Sequence, residues 1–191
     1  LLRIGGHRIG PECPGAHADP PLTEIRPMST APSFDPHASR AARYDQLDLQ
    51  CAGLLDEPDA VANQANFAAL IHAAFGWHWV GFYRVSGDEL VLGPFQGPVA
   101  CTRLRRGKGV CAAAWERNAV VRVADVEAFP GHVACSALSR SEIVLPVRDA
   151  QGEVRAVLDI DSTALDDFSA EDEARLARLI DAHAHRFLTT A

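Results

Sequence analysis

SEIVLPVRDAQGEVRAVLDIDS, residues 141–162, is the stretch on which the fold turns. Glu142–Val147 and Val154–Ile160 are two apolar runs rich in β-branched residues, and Asp149-Ala150-Gln151-Gly152 between them is turn chemistry. Together they predict an antiparallel hairpin. A two-residue loop closed by Asp149 and Gly152 places Glu142 opposite Asp159, with Asp161 two residues on and therefore on the same face. Three carboxylates then flank an otherwise apolar strand pair, where uncompensated charge is costly. A cationic ligand group or a shared proton would relieve that cost. An exposed sheet face would tolerate it without any function. The pattern alone leaves both readings open.

Working outward, the last helix is opened by Ser169-Ala170-Glu171-Asp172, a capping-box-like start, and carries the stripe Leu176, Leu179, Ile180, His183 and Phe187. On the other side, a helix from Ser39 shows Tyr44, Leu47, Cys51, Leu54 and Leu55 at helical spacing and ends near Gly53 and Asp56-Glu57-Pro58. Asp59 caps a second helix with Val61, Ala65, Ala68, Ile71 and Phe75, stopped by Gly76. Trp79–Tyr83 alternates and is β-rich, and Ser86-Gly87-Asp88-Glu89 turns it into Leu90–Leu92. Val110–Trp115 reads as a short helix and Val120–Val123 as a short strand. No internal repeat is visible. Such an order predicts an α+β domain with a central antiparallel sheet and its helices mainly on one face.

The chain has 191 residues, enough for one domain and a tail. Residues 1–38 read as a leader that is disordered or wrongly included, and 39–191 as the domain. Seven of the 12 prolines fall in the first 36 residues, too little apolar material to offset chain entropy. The only methionine, Met28, precedes Ser-Thr-Ala-Pro, so residues 1–27 are expected to be an overextended gene start, which an intact mass would test. A net charge of −7 speaks against a nucleic-acid-binding body. The basic run Arg103–Lys108 reads as a solvated turn. No stretch reaches the roughly 20 apolar residues of a membrane helix, and no signal peptide opens the chain. A soluble, cytoplasmic protein is expected.

Of five cysteines, Cys13 lies in the leader and Cys51 on a buried helical stripe, where a thiol is a small hydrophobe. Cys101, Cys111 and Cys135 lie in the irregular middle, where chemistry tends to sit. Their spacing lacks the close pairs of zinc ribbons, although a zinc site from Cys101, Cys111, Cys135 and His132 can be drawn. A structural disulfide is disfavoured in a reducing compartment. That leaves inert thiols or thiol–disulfide chemistry, and the glycine-rich polar surroundings of Cys111 and Cys135 favour the second. His132 either supports a Cys135 thiolate by charge or only fixes its turn.

Trp79-Val-Gly-Phe-Tyr83, Leu92-Gly-Pro-Phe-Gln-Gly97, Ala100-Cys101, Gly107-Lys-Gly-Val-Cys111, Asp125-Val126, Phe129-Pro-Gly-His-Val-Ala-Cys135, Ser141-Glu-Ile-Val144 and Val157-Leu-Asp-Ile-Asp-Ser162 occur in this order. The series resembles the signature of the free methionine-(R)-sulfoxide reductases, which are single GAF domains, and covers about Arg43 to Phe187. The resemblance implies an enzyme without a cofactor or metal that reduces free L-methionine (R)-S-oxide to methionine. It implies a sulfenic acid on Cys135 as attacking thiol and a disulfide with Cys101 as resolving thiol. Cys111 would be helper or alternative partner, and thioredoxin the reductant. Glu142, Asp159 and Asp161 match the family's substrate-binding carboxylates, and Trp79 the aromatic against the methyl and thioether end. Without the family, Trp79 reads as a core tryptophan. Two positions depart from the family: Ser136 stands where an acid is common, and Ala112 where glycine is usual. The resemblance also points to a homodimer. The competing reading is a non-catalytic GAF module that binds a small amino-acid-like ligand.

Overall fold

Caps decide where most of the helices begin. The Ser39 side chain accepts from the Ala42 N–H at the head of α1 (Arg40–Leu54). Asp59 accepts from the Val61 and Ala62 N–H groups at the head of α2 (Ala60–Phe75), which Gly76 ends in the left-handed conformation. α3 (Gly109–Arg117) has no side-chain cap, because Lys108 precedes it. α4 (Ala170–Phe187) opens on a reciprocal capping box between Ser169 and Asp172. The computed structural model describes residues 33–132 and 136–188. The expectations for residues 1–32 lie outside them. Phe34, ahead of α1, packs partly buried against the core.

Six strands form one antiparallel sheet in the order β3-β2-β1-β6-β5-β4. They are β1 (Trp79–Ser86), β2 (Glu89–Gln96), β3 (Arg103–Arg105), β4 (Val121–Val123), β5 (Ser141–Arg148) and β6 (Val154–Ser162). The expected basic turn is thus in part an edge strand. Leu104 is buried between two exposed arginines, pairs with Leu90 and joins the core on the α3 side of the sheet, while the Arg103 side chain forms an ion pair with Glu89 across the ladder.

One sheet face carries Val80, Phe82, Ile143, Leu145, Val147, Ala156, Leu158 and Ile160 against α1, α2 and α4. The other carries Trp79, Tyr83, Val144 and Val157 against α3. Period-2 alternation in β5 and β6 divides the two sets. Among the described residues, three of the four α-helices lie on one side, as the pattern of the sequence implies.

Val61, expected on the buried stripe of α2, is 54% exposed, whereas Asn63 and Gln64 are buried. Their amides are drawn inward by the end of α4. Asn63 Nδ2 donates to the Arg186 carbonyl at 3.1 Å, and Gln64 Nε2 to that of Phe187 at 2.7 Å. These bonds satisfy terminal carbonyls that no helical N–H can reach. A second polar knot ties α1 to α4. The fully buried Asp172 accepts from the Tyr44 hydroxyl at 2.8 Å, from Arg40 at 2.9 Å and from the Ser169 N–H at 2.7 Å. Among the described residues, no helix is long and apolar enough to cross a membrane.

Candidate active site

On the α3 side of the sheet, strand neighbours line up in two rows. Trp79 pairs with Asp161, Asp161 with Glu142, and Glu142 with Val123. The next row is Gly81, Asp159, Val144 and Val121. The expected pairing of Glu142 with Asp159 is therefore corrected: Glu142 faces Asp161. The hairpin loop is one residue longer than expected, closed by the Asp149 N–H on the Glu153 carbonyl at 2.9 Å. A register shift between Val147 and Arg148 adds a second residue. A slip of two preserves facing, so all three carboxylates still share one side of the sheet.

α3 lies over this face and delivers Cys111 from its first turn. Gly109, at φ 82°, makes the sharp entry, and its N–H donates to the Gly131 carbonyl at 3.0 Å. The Cys111 Sγ lies 3.9 Å from Glu142 Oε1 and donates to it. Cys111, Glu142, Asp159 and Asp161 line one small cleft, with Lys108, His132, Ser136 and Ser139 around it.

Burial dominates the electrostatics of the cleft. It raises Glu142 and Asp159 well above the usual carboxylate range, and their neighbouring charges raise them further. Asp161 is pushed up by burial to about 6, with the Ser139 side chain opposing the rise. Burial and then the charges of Asp159 and Glu142 push the Cys111 thiol well above its ordinary value. Burial lowers His132, which favours its neutral form. Such a cleft favours protonated carboxyls, and an incoming cation would displace those protons to solvent.

Cys101 and Trp79 lie on the same side of the sheet but do not line the cleft. Cys101 is half-buried, and its carbonyl accepts from the Tyr83 hydroxyl at 2.9 Å. Trp79 stacks on Phe95 and Tyr83 and donates Nε1–H to the Pro98 carbonyl at 3.1 Å. Its slot is made by glycine. A Cβ on Gly81 would come within 2.4 Å of the Trp79 ring, and one on Gly97 within 2.9 Å of it. Cys135 lies outside the described residues; the residues to either side of that gap, His132 and Ser136, both border the cleft. Cys51 sits in the helix-side core with its thiol pushed up to about 12 by burial, an inert position. Cys101 and His132 do not join Cys111 in a metal-ligand cluster among the described residues.

Three participants were not singled out from sequence. Lys108 and Ser139 are site residues only by the curl of α3 and the approach to β5. His78 Nε2 meets Ser136 Oγ at 3.0 Å, a link across 58 positions that no local pattern signals.

A family model described as a GAF domain matches residues 59–185. The chain is 47% identical to the free methionine-R-sulfoxide reductase of Escherichia coli over 65% of its own length and 75% of the relative. The chain belongs to the GAF-domain family of free methionine-R-sulfoxide reductases. Among other members of wider GAF kinship, it is 49% identical to GAF domain-containing protein A of Dictyostelium discoideum, over 74% of this chain and 90% of that protein. A solved structure, the free methionine-R-sulfoxide reductase of Neisseria meningitidis in complex with its substrate, is 48% identical at a TM-score of 0.77. That superposition covers 82% of this chain and 95% of the other.

Proposed function

We propose that this chain reduces free L-methionine (R)-S-oxide to L-methionine, using its own thiols as the immediate reductant. The observation that carries the reading is the Cys111 thiol, 3.9 Å from Glu142 Oε1, in a cleft shared with Asp159 and Asp161. Sulfur and acid are the two groups that sulfoxide reduction needs, and the named relatives support the substrate.

In this reading, the substrate ammonium sits against the three carboxylates, its charge favours their ionised forms, the displaced protons go to solvent, and one carboxyl keeps its proton. The substrate carboxylate faces the N-terminal turn of α3 and Lys108, an electropositive end. A Cys135 thiolate attacks the sulfoxide sulfur while a protonated carboxyl supports the oxygen. The oxygen ends on Cys135 as a sulfenic acid, and methionine leaves reduced by two electrons. The Cys101 thiol then forms the S–S bond and expels the oxygen as water. A dithiol of the thioredoxin type reduces that disulfide. Cys111, held as a thiol by burial, suits a helper better than a first attacker. Peptide-bound methionine lacks the ammonium and would leave buried carboxylates unpaired.

The test is thioredoxin-coupled NADPH oxidation with separated R and S isomers, each free and peptide-bound. Turnover confined to the free R isomer is expected. Saturable binding without turnover would favour a ligand-sensing module instead, and equal turnover of peptide-bound substrate would remove the ammonium argument.

A further inference from the structure

Cys111 Sγ and one carboxylate oxygen each from Glu142 and Asp159 lie within 4.8 Å of one another, and all three residues are buried. Two observations set the trio apart from an ordinary acidic patch. The first concerns spacing. Tetrahedral zinc, with bonds of about 2.3 Å to sulfur and about 2.1 Å to oxygen, would hold those two atoms about 3.6 Å apart. The Sγ–Oε1 distance of 3.9 Å is already within a few tenths of that. The second is an orphan atom: Asp159 is 7% exposed, borders the cleft, and its Oδ1 is buried with no hydrogen-bond partner.

We propose that the reduced protein binds one thiophilic divalent cation, of the zinc and cadmium class, through Cys111, Glu142 and Asp159. One metal–sulfur and two metal–oxygen bonds form, the Cys111 thiol and any protonated carboxyl release their protons to solvent, and no electrons move. Three protein ligands leave a fourth position for water. The class follows from the donors. A thiolate selects softer ions, and three close ligands suit four-coordination, whereas calcium and magnesium want six or more oxygens. The binding stands on the ligand geometry alone; that a bound ion would inhibit rests on the proposed function, which seats the substrate ammonium in the same place.

The experiment titrates zinc into the full-length reduced chain against a chromogenic indicator. One equivalent should bind, and Cys111→Ser and Asp159→Asn should each weaken it by about tenfold or more, the least that loss of a direct ligand costs. Cys101→Ser should leave the affinity unchanged. Cobalt(II) in the parent protein gives a second reading that does not depend on a variant folding. A charge-transfer band with the intensity of one thiolate is expected. No binding, unweakened binding by Asp159→Asn, loss on Cys101→Ser, or a band of two or more thiolates would each overturn the proposal.

Discussion

Glu142 and Asp161 stand directly opposite each other on neighbouring antiparallel strands, and Asp159 is the next residue of β6 on the same face. Facing like charges destabilise a ladder, and burial adds a desolvation cost for each ionised form. Both costs vanish when the group takes up a proton or a cation arrives. Ionising the cleft therefore builds up unfavourable electrostatics, which either a proton or a positively charged guest relieves.

The first prediction concerns pH and the stability of the ligand-free protein. Asp161 rises from an ordinary 3.8 to about 6, and Glu142 and Asp159 rise as well. For an acid with a raised folded pKa, the native state keeps protons that the unfolded chain has released, so stability falls as pH rises through that window. Melting temperature should decline from pH 3.8 through 6 and beyond, and Asp161→Asn should flatten the decline. A parent curve that tracks the variant curve would contradict this.

Substrate affinity should depend on the same groups. Asp159→Asn keeps the shape and removes a charge-assisted contact of about 1.5–3 kcal/mol, so KM for free methionine sulfoxide should rise about ten- to a hundredfold. Steady-state kinetics on Asp159→Asn and Asp161→Ala would decide it; an unchanged KM in both would end the ammonium-site account.

Thiol reactivity should separate the cysteines. Cys111 is buried with its thiol held protonated, whereas Cys101 is half-buried. In the free reduced protein at neutral pH, iodoacetamide should label Cys111 at least about tenfold more slowly than Cys101. Peptide mapping by mass gives the order. Cys135→Ser should abolish turnover, and survival of activity there with a dead Cys111→Ser would exchange their roles.

Asp172 predicts the largest loss of stability outside the cleft. Its carboxylate gathers Tyr44, Arg40 and the Ser169 cap, and is fully buried. Asp172→Ala would strand the Tyr44 hydroxyl, break the Arg40 pair and remove the carboxylate half of the α4 capping box, at a cost of about 3–5 kcal/mol. Denaturant unfolding should show it as a lower midpoint with an unchanged slope.

Much of this architecture is written locally. Ser39, Asp59 and Ser169 announce their helices because a cap needs only its own next few residues. The shared face of Glu142, Asp159 and Asp161 is equally legible, since alternation survives any slip of two. Their true partners were not, because the register shift at Val147 and Arg148 leaves no mark in composition. Arg103-Leu104-Arg105 looks like a turn, and its pairing with Glu89, Leu90 and Val91 makes it a strand. Val61 outside and Gln64 inside invert the ordinary hydrophobic rule, for reasons that sit in the distant Phe187 carbonyl. His78 against Ser136 likewise exists only once the chain has folded.

The berth of Trp79 is bounded by two side chains that are not there, those of Gly81 and Gly97. A pocket walled by bulky residues can be widened or narrowed by trimming or enlarging them. At Gly81 and Gly97 it is already cut back to the main chain, so mutation of either can only crowd it. The indole therefore has a single permitted seat, and any retuning of its neighbourhood has to come from Phe95 or Tyr83, the rings it leans on.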